Sequence, residues 1–118
     1  MNKKILVVDD EPMLREILKD FLELGSYQVE EAHSGQEAFK MISDSNYDCV
    51  ISDVRMPNGD GTELAKKIFQ MHGPKPKVFL ATGFSDISEE QARSIGVVKV
   101  LQKPFDYDEL LTAVRQAI

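Results

Sequence analysis

The sequence predicts an α/β fold, a five-stranded parallel sheet with helices on both faces. Three observations predict it. Short runs of consecutive apolar, largely β-branched residues recur along the chain, as in strands buried on both sides. The segments between them space their apolar residues with a helical period. The two patterns also alternate, strand then helix, five times. Parallel neighbours need right-handed crossover connections, so this alternation distributes helices over both faces of one sheet. The 118 residues amount to one domain spanning 1–118, without linker, repeat or low-complexity tract.

Each element has its own signal. Residues 5–8 are wholly apolar and form the first strand. Met13, Leu14, Ile17, Leu18, Phe21 and Leu22 mark one face of a helix that Pro12 starts and Gly25 stops. Residues 27–32 alternate Tyr27 and Val29 with Gln28 and Glu30, a strand with one wetter face at a sheet edge. Ser34 with Glu37 three residues on has capping-box spacing and opens a helix marked by Ala38, Met41 and Ile42. Residues 49–51 are the third strand. After the turn-rich run Pro57, Asn58, Gly59, Asp60 and Gly61, a helix marked by Leu64, Ile68 and Met71 ends before Gly73 and Pro74. Residues 78–81 form the fourth strand. Ser88 and Gln91 repeat the capping-box spacing at the head of a short helix over 88–95. Residues 97–101, interrupted by Lys99, are the fifth strand, and Leu110, Leu111, Val114 and Ile118 mark the last helix.

Composition narrows function. With 42% hydrophobic and 29% charged residues, the chain fills one core. Its 14 Lys and Arg against 20 Asp and Glu leave a net charge of −6, which disfavours direct nucleic-acid binding. An acidic site for a cation, or a cationic partner, suits that balance. The single cysteine, Cys49, excludes an internal disulfide or a cysteine zinc cage and reads as a small core hydrophobe. The apolar run 5–8 is too short for a signal-peptide core, and nothing approaches a membrane span, so the expected location is cytoplasmic.

In sheets of this kind ligands sit beyond the carboxyl ends of the strands. Asp9, Asp10 and Glu11 follow the first strand, Asp53 the third, Thr82 the fourth and Lys103 the fifth. Each has a plainer reading. Asp9 and Asp10 suit a helix N-terminus, although one acid suffices there; Asp53 can open a turn; Thr82 and Lys103 are types usually exposed. Together they make a site. Three carboxylates crowded together repel unless a cation neutralises them, and hard oxygen ligands suit Mg²⁺. A carboxylate is also a covalent acceptor of phosphoryl groups, whose transfer depends mainly on positioning and charge neutralisation. The reading is that Asp53 becomes an aspartyl phosphate beside the metal, with Lys103 and Thr82 on the phosphoryl oxygens.

Val8-Asp9-Asp10-Glu11, Asp53-Val54-Arg55-Met56-Pro57 with Gly59-Asp60-Gly61, Ala81-Thr82-Gly83 and Lys103-Pro104-Phe105 together resemble the receiver domains of two-component response regulators. The resemblance covers essentially the whole chain and implies strand order 2-1-3-4-5, a flavodoxin-like three-layer sandwich. It implies Asp53 as phosphoacceptor and Mg²⁺, with Mn²⁺ as a substitute, on Asp10, Asp53 and the backbone carbonyl of Arg55. Asp9 then acts largely through a metal-bound water, and Thr82 and Lys103 hold the phosphoryl oxygens. The implied donor is a phosphohistidine on a sensor histidine kinase or a histidine phosphotransfer protein, docking at the first helix, where Met13 and Leu14 either meet it or pack on the sheet. An output domain or effector protein would read the result. The module is then an acceptor rather than a turnover enzyme, apart from its own phosphorylation and autodephosphorylation.

Some positions depart from the family. Its usual Tyr, Phe or His three residues before the Lys is Val100 here. A branched aliphatic cannot sweep the same arc, so either the switch lies elsewhere around the fourth helix and fifth strand or coupling is weak. Arg55 and Phe84 flank the site, and Phe84 shielding the acyl phosphate, stacked on Arg55, is one expectation. A cis Lys103–Pro104 bond is another. Three rivals remain at this level. An aspartate-dependent Mg²⁺ phosphatase wants two acids spaced two apart and a cap. An FMN carrier wants a hydroxyl- and glycine-rich first loop, which Asp9, Asp10 and Glu11 contradict. A degenerate receiver used as a scaffold is kept open by Val100.

Overall fold

The structure, a computed structural model, describes residues 2–83 and 87–118. Strands and helices alternate as β1 (Lys4–Val8), α1 (Pro12–Leu24), β2 (Gln28–Ala32), α2 (Gly35–Asp44), β3 (Cys49–Asp53), α3 (Gly61–Phe69), β4 (Lys77–Thr82), α4 (Glu89–Ser94), β5 (Val97–Gln102) and α5 (Tyr107–Ala117). The pairings are parallel, in the order β2-β1-β3-β4-β5. The sheet order and edge position of β2 follow the expectation.

Side chains alternate across the pleat and divide the core in two. Ile5 and Val7 of β1, Cys49 and Ile51 of β3, and Phe79 and Ala81 of β4 pack with Leu18 and Leu22 of α1 and Leu110 and Val114 of α5. Leu6, Val8, Val50, Val78 and Leu80 face the other way, onto Ala38 and Ile42 of α2, Leu64 and Ile68 of α3, and Ala92 of α4. Burying each large aliphatic or aromatic side chain contributes roughly 1.5–3 kcal/mol. Cys49 lies in this core, and burial pushes its thiol pKa up, with Asp48 adding to the effect. Met56 is buried, and Met41 and Met71 pack against the same cluster.

Several local expectations change. α3 ends at Phe69, two residues before Met71; Lys66 and Lys67 lie in its last turn and Lys75 Nζ donates to the Phe69 carbonyl (2.6 Å). On α1, Leu18 and Leu22 are buried, but Met13, Leu14 and Ile17 are exposed, because the apolar face is wider than the sheet can cover. Gly25 ends α1 with a negative φ (−81°), and the left-handed turn falls on Ser26 (φ 73°). At α2, Ser34 Oγ accepts from Glu37 N–H (3.1 Å), while the Glu37 carboxylate accepts from His33 N–H (2.9 Å), one residue earlier than a capping box places it. At α4 the box is complete, with both Ser88–Gln91 bonds at 3.0 Å.

β5 contains a bulge. Val78 faces Val97 but Phe79 faces Lys99, so Val98 is an extra residue. One inserted residue exchanges the faces of everything after it. Val97 and Val100 therefore share the α2–α4 side, Leu101 joins the α1–α5 side, and Lys99 reaches Glu109 of α5 (3.0 Å).

Candidate functional site

Parallel strands carry their last residues to one edge of the sheet, where each loop turns into a helix. Asp9 immediately follows β1, Asp53 and Thr82 are the final residues of β3 and β4, and Lys103 immediately follows β5. Asp53 pairs with Ala81, so Thr82 lies one residue further along the neighbouring strand. The backbone N–H of Lys103 donates to the Thr82 carbonyl (2.9 Å), which joins the fifth loop to the fourth. The Lys103–Pro104 bond is cis.

Three acids converge here. Asp9, Asp10 and Asp53 each present an oxygen within 4.8 Å of the others. Asp9 is buried, Asp10 exposed and Asp53 between them. Lys103 Nζ bridges two, at 3.2 Å from Asp9 Oδ2 and 3.3 Å from Asp53 Oδ2. Thr82 is buried (2% exposed), against the plain expectation for threonine. Arg55 is exposed, two residues past Asp53, and Val100 is buried beneath α4. Phe84, and with it the expected stacking on Arg55, lies outside the described residues.

Burial and neighbouring charge both act on the ionisable groups of this edge. Burial raises the Asp53 pKa above its ordinary value; Lys103 opposes the shift and Asp9 adds to it. Burial works to lower the Lys103 pKa, but Asp9 and Asp53 outweigh it and the net direction is up. One ammonium is shared by carboxylates that would be stabilised by further positive charge. A cluster of hard oxygen donors with an exposed member suits Mg²⁺, which keeps part of its water shell. Both Asp9 oxygens are already engaged, Oδ2 with Lys103 and Oδ1 with the N–H of Glu11 (2.9 Å), which fits an outer role for Asp9 and a direct one for Asp10.

Three features escaped the sequence. Gly61, which reads as a turn residue, abuts the Asp53 backbone, and its N–H donates to the Val54 carbonyl (2.9 Å). The N-terminus of α2 holds the loop after Asp53, through Gly35 N–H to Gly59 O (3.0 Å) and Gln36 N–H to Asn58 O (3.4 Å). Arg15 Nη1 donates to the Asp9 carbonyl (2.7 Å). Only the Gly-rich run hinted at any of these.

The chain is similar to known proteins over almost its whole length. A family model described as the response regulator receiver domain matches residues 5–115. The transcriptional regulatory protein SrrA of Staphylococcus aureus is 32% identical over 115 residues, 98% of this chain and 47% of that protein. The chain thus spans about half the length of the curated relatives it matches. Among solved structures, response regulator TrrA from Thermotoga maritima, in complex with Mg²⁺-BeF, is 36% identical with a TM-score of 0.89 over 98% of this chain and 99% of that one. Chemotaxis protein CheY4 of Vibrio cholerae is 28% identical with a TM-score of 0.89, covering 100% of both chains. No described helix is long and apolar enough to cross a membrane.

Proposed function

Because the chain belongs to the response regulator receiver domains, the signalling modules of two-component systems, we propose that Asp53 accepts a phosphoryl group from a phosphohistidine. The donor is a sensor histidine kinase or a histidine phosphotransfer protein. The observation that carries this reading is the Lys103 ammonium set between Asp9 and Asp53, at 3.2 and 3.3 Å, on an edge where three acids converge. Asp10, Asp53 and the Arg55 backbone carbonyl would hold Mg²⁺, or Mn²⁺ in its place, with Asp9 engaged through water. Bound there, the ion supplies positive charge that offsets the carboxylates and the phosphoryl oxygens.

The protein's own groups do the positioning. An Asp53 oxygen attacks phosphorus, the P–N bond to the donor imidazole breaks, and the released imidazole nitrogen keeps the electron pair. Lys103, now neutralising two carboxylates, binds one phosphoryl oxygen as charge shifts onto it, and Thr82 binds another. Attack by water on phosphorus later restores the carboxylate and releases phosphate. The partner meets α1, where Met13, Leu14 and Ile17 are exposed beside the loop of the site; Met13 is 73% exposed. Phosphorylation then biases an attached output domain or an effector protein. Val100 is buried, and as a valine it supplies no aromatic ring to swing inward at this position.

Incubation with acetyl phosphate tests the reading. Metal-dependent labelling, lost on chelation and in Asp53→Asn, supports it; labelling that persists in Asp53→Asn overturns it. Bound beryllofluoride at Asp53 in the presence of Mg²⁺ is the matching structural result. Turnover of an added phosphate ester would favour a phosphatase.

A further inference from the structure

The turn carrying Asp9 and Asp10 lacks the usual helix cap. Ser34, Asp60, Ser88 and Asp106 each cap their helix by accepting a backbone N–H at the third helical position. Glu11, at the head of α1, makes no such bond. The first helix therefore begins without a side-chain cap at the place where Asp9 and Asp10 converge on Asp53. The Asp9 side chain is held by the Glu11 N–H and by Lys103, and the backbone carbonyl of the turn needs an anchor of its own.

Arg15 meets the requirement. From the second turn of α1 its side chain reaches back, Nη1 donating to the Asp9 carbonyl at 2.7 Å. Its Nε pairs with Glu31 Oε1 of β2 at 3.3 Å, and Lys19 braces the same carboxylate from the next turn at 3.8 Å. The Asp9 N–H in turn donates to the Ala32 carbonyl at 3.2 Å. The Asp9 peptide is thus tied to β2 on both sides, directly through its N–H and through the guanidinium at its carbonyl. Arg15 is largely shielded, with 17% of its side chain exposed. A planar fork can serve a carbonyl and a carboxylate together in fixed directions, which a single ammonium cannot.

We propose that Arg15 is a positioning residue of the acidic site, a strut that holds the β1–α1 turn where Asp9 and Asp10 converge on Asp53. The inference rests on the reading of that cluster as a Mg²⁺ site. It predicts a sign opposite to that of simple charge. Removing a nearby cation should tighten binding of a divalent cation, whereas removing a strut should weaken it.

The experiment compares Mg²⁺ titrations of the intact chain by calorimetry with the rate of Asp53 labelling by acetyl phosphate across Mg²⁺ concentrations. Arg15→Met should raise the Mg²⁺ dissociation constant about tenfold, the lower end for groups that orient metal ligands, while the labelling rate at saturating Mg²⁺ stays at the wild-type value. Arg15→Lys conserves charge and helix propensity, and should weaken Mg²⁺ binding in the same direction. Tighter or unchanged binding in Arg15→Met overturns the proposal, as does a lower maximal rate with unchanged affinity. If Arg15→Met does not fold, Arg15→Lys decides, and wild-type affinity there overturns the proposal. The underlying metal-site reading fails separately, if wild-type protein binds no Mg²⁺ or binds it undiminished in Asp10→Asn.

Discussion

Gly61 stands so close to Asp53 that a methyl group on its α-carbon would overlap the Asp53 carbonyl oxygen. Its φ lies outside the left-handed region, so the restriction is one of space. The same methyl would sit 3.0 Å from Ser52 Oγ. α3 therefore packs its first residue against the backbone that carries the proposed acceptor, and the helix cannot move in without moving Asp53.

Gly61→Ala is expected to cost about 1–3 kcal/mol, the range for overpacking a tight contact, and to slow acetyl phosphate labelling by displacing Asp53. Urea denaturation and the labelling rate check both. Wild-type values for the two would mean that α3 backs away without consequence.

Asp53→Asn is expected to stabilise the metal-free fold at neutral pH. The raised pKa means that the folded chain holds this proton more tightly than the unfolded chain does, so unfolding releases it. The contribution of Asp53 to stability therefore falls as pH rises from near the ordinary value of 3.8 through the folded value, and stays lower above it. In chelator, the wild-type melting temperature measured relative to that of Asp53→Asn should fall with pH across that window. Parallel profiles would contradict the assignment.

Lys103→Met leaves Asp9 and Asp53 without the ammonium they share. The side chains of Lys103, Asp9 and Asp53 are 19%, 9% and 14% exposed, so water replaces it poorly. A loss of about 1–3 kcal/mol is expected at neutral pH without metal. Acid, by protonating the carboxylates, and Mg²⁺, by neutralising them, should each recover part of it. Denaturation curves at two pH values, with and without Mg²⁺, give the comparison.

Ile17→Asp places charge on the exposed stripe of α1. Stability should change by no more than about 0.5 kcal/mol, as for most surface substitutions. Labelling by acetyl phosphate should keep its rate, and transfer from a phosphorylated histidine donor should slow. Equal slowing of both reactions would remove α1 from the docking surface.

Much of the fold was legible because both-face burial leaves an unmistakable mark: Val7, Ile51 and Leu80 lie in apolar runs that only interior strands tolerate. The edge residues were legible for a related reason, since Asp9, Asp53 and Lys103 interrupt or follow those runs where a parallel sheet gathers its loops. Distance was not legible. Nothing in the spacing of Arg15 says that its guanidinium returns to the Asp9 carbonyl, and the turn-rich run around Gly61 conceals a steric demand within a conformational one. Periodicity also overstated the buried face of α1, because it counts apolar residues without knowing how much sheet lies beneath them. Met13 and Ile17 have the right spacing and no floor.

The extra residue at Val98 acts beyond register. β5 is a margin of the sheet, and a straight margin offers its free amides and carbonyls as a template on which another chain can stack. The irregularity breaks that even ladder and twists it, while Lys99 beside it adds charge. Neighbouring molecules crowded together thus find no smooth ribbon to zip onto, and the protein is guarded against open-ended fibrous growth from this flank.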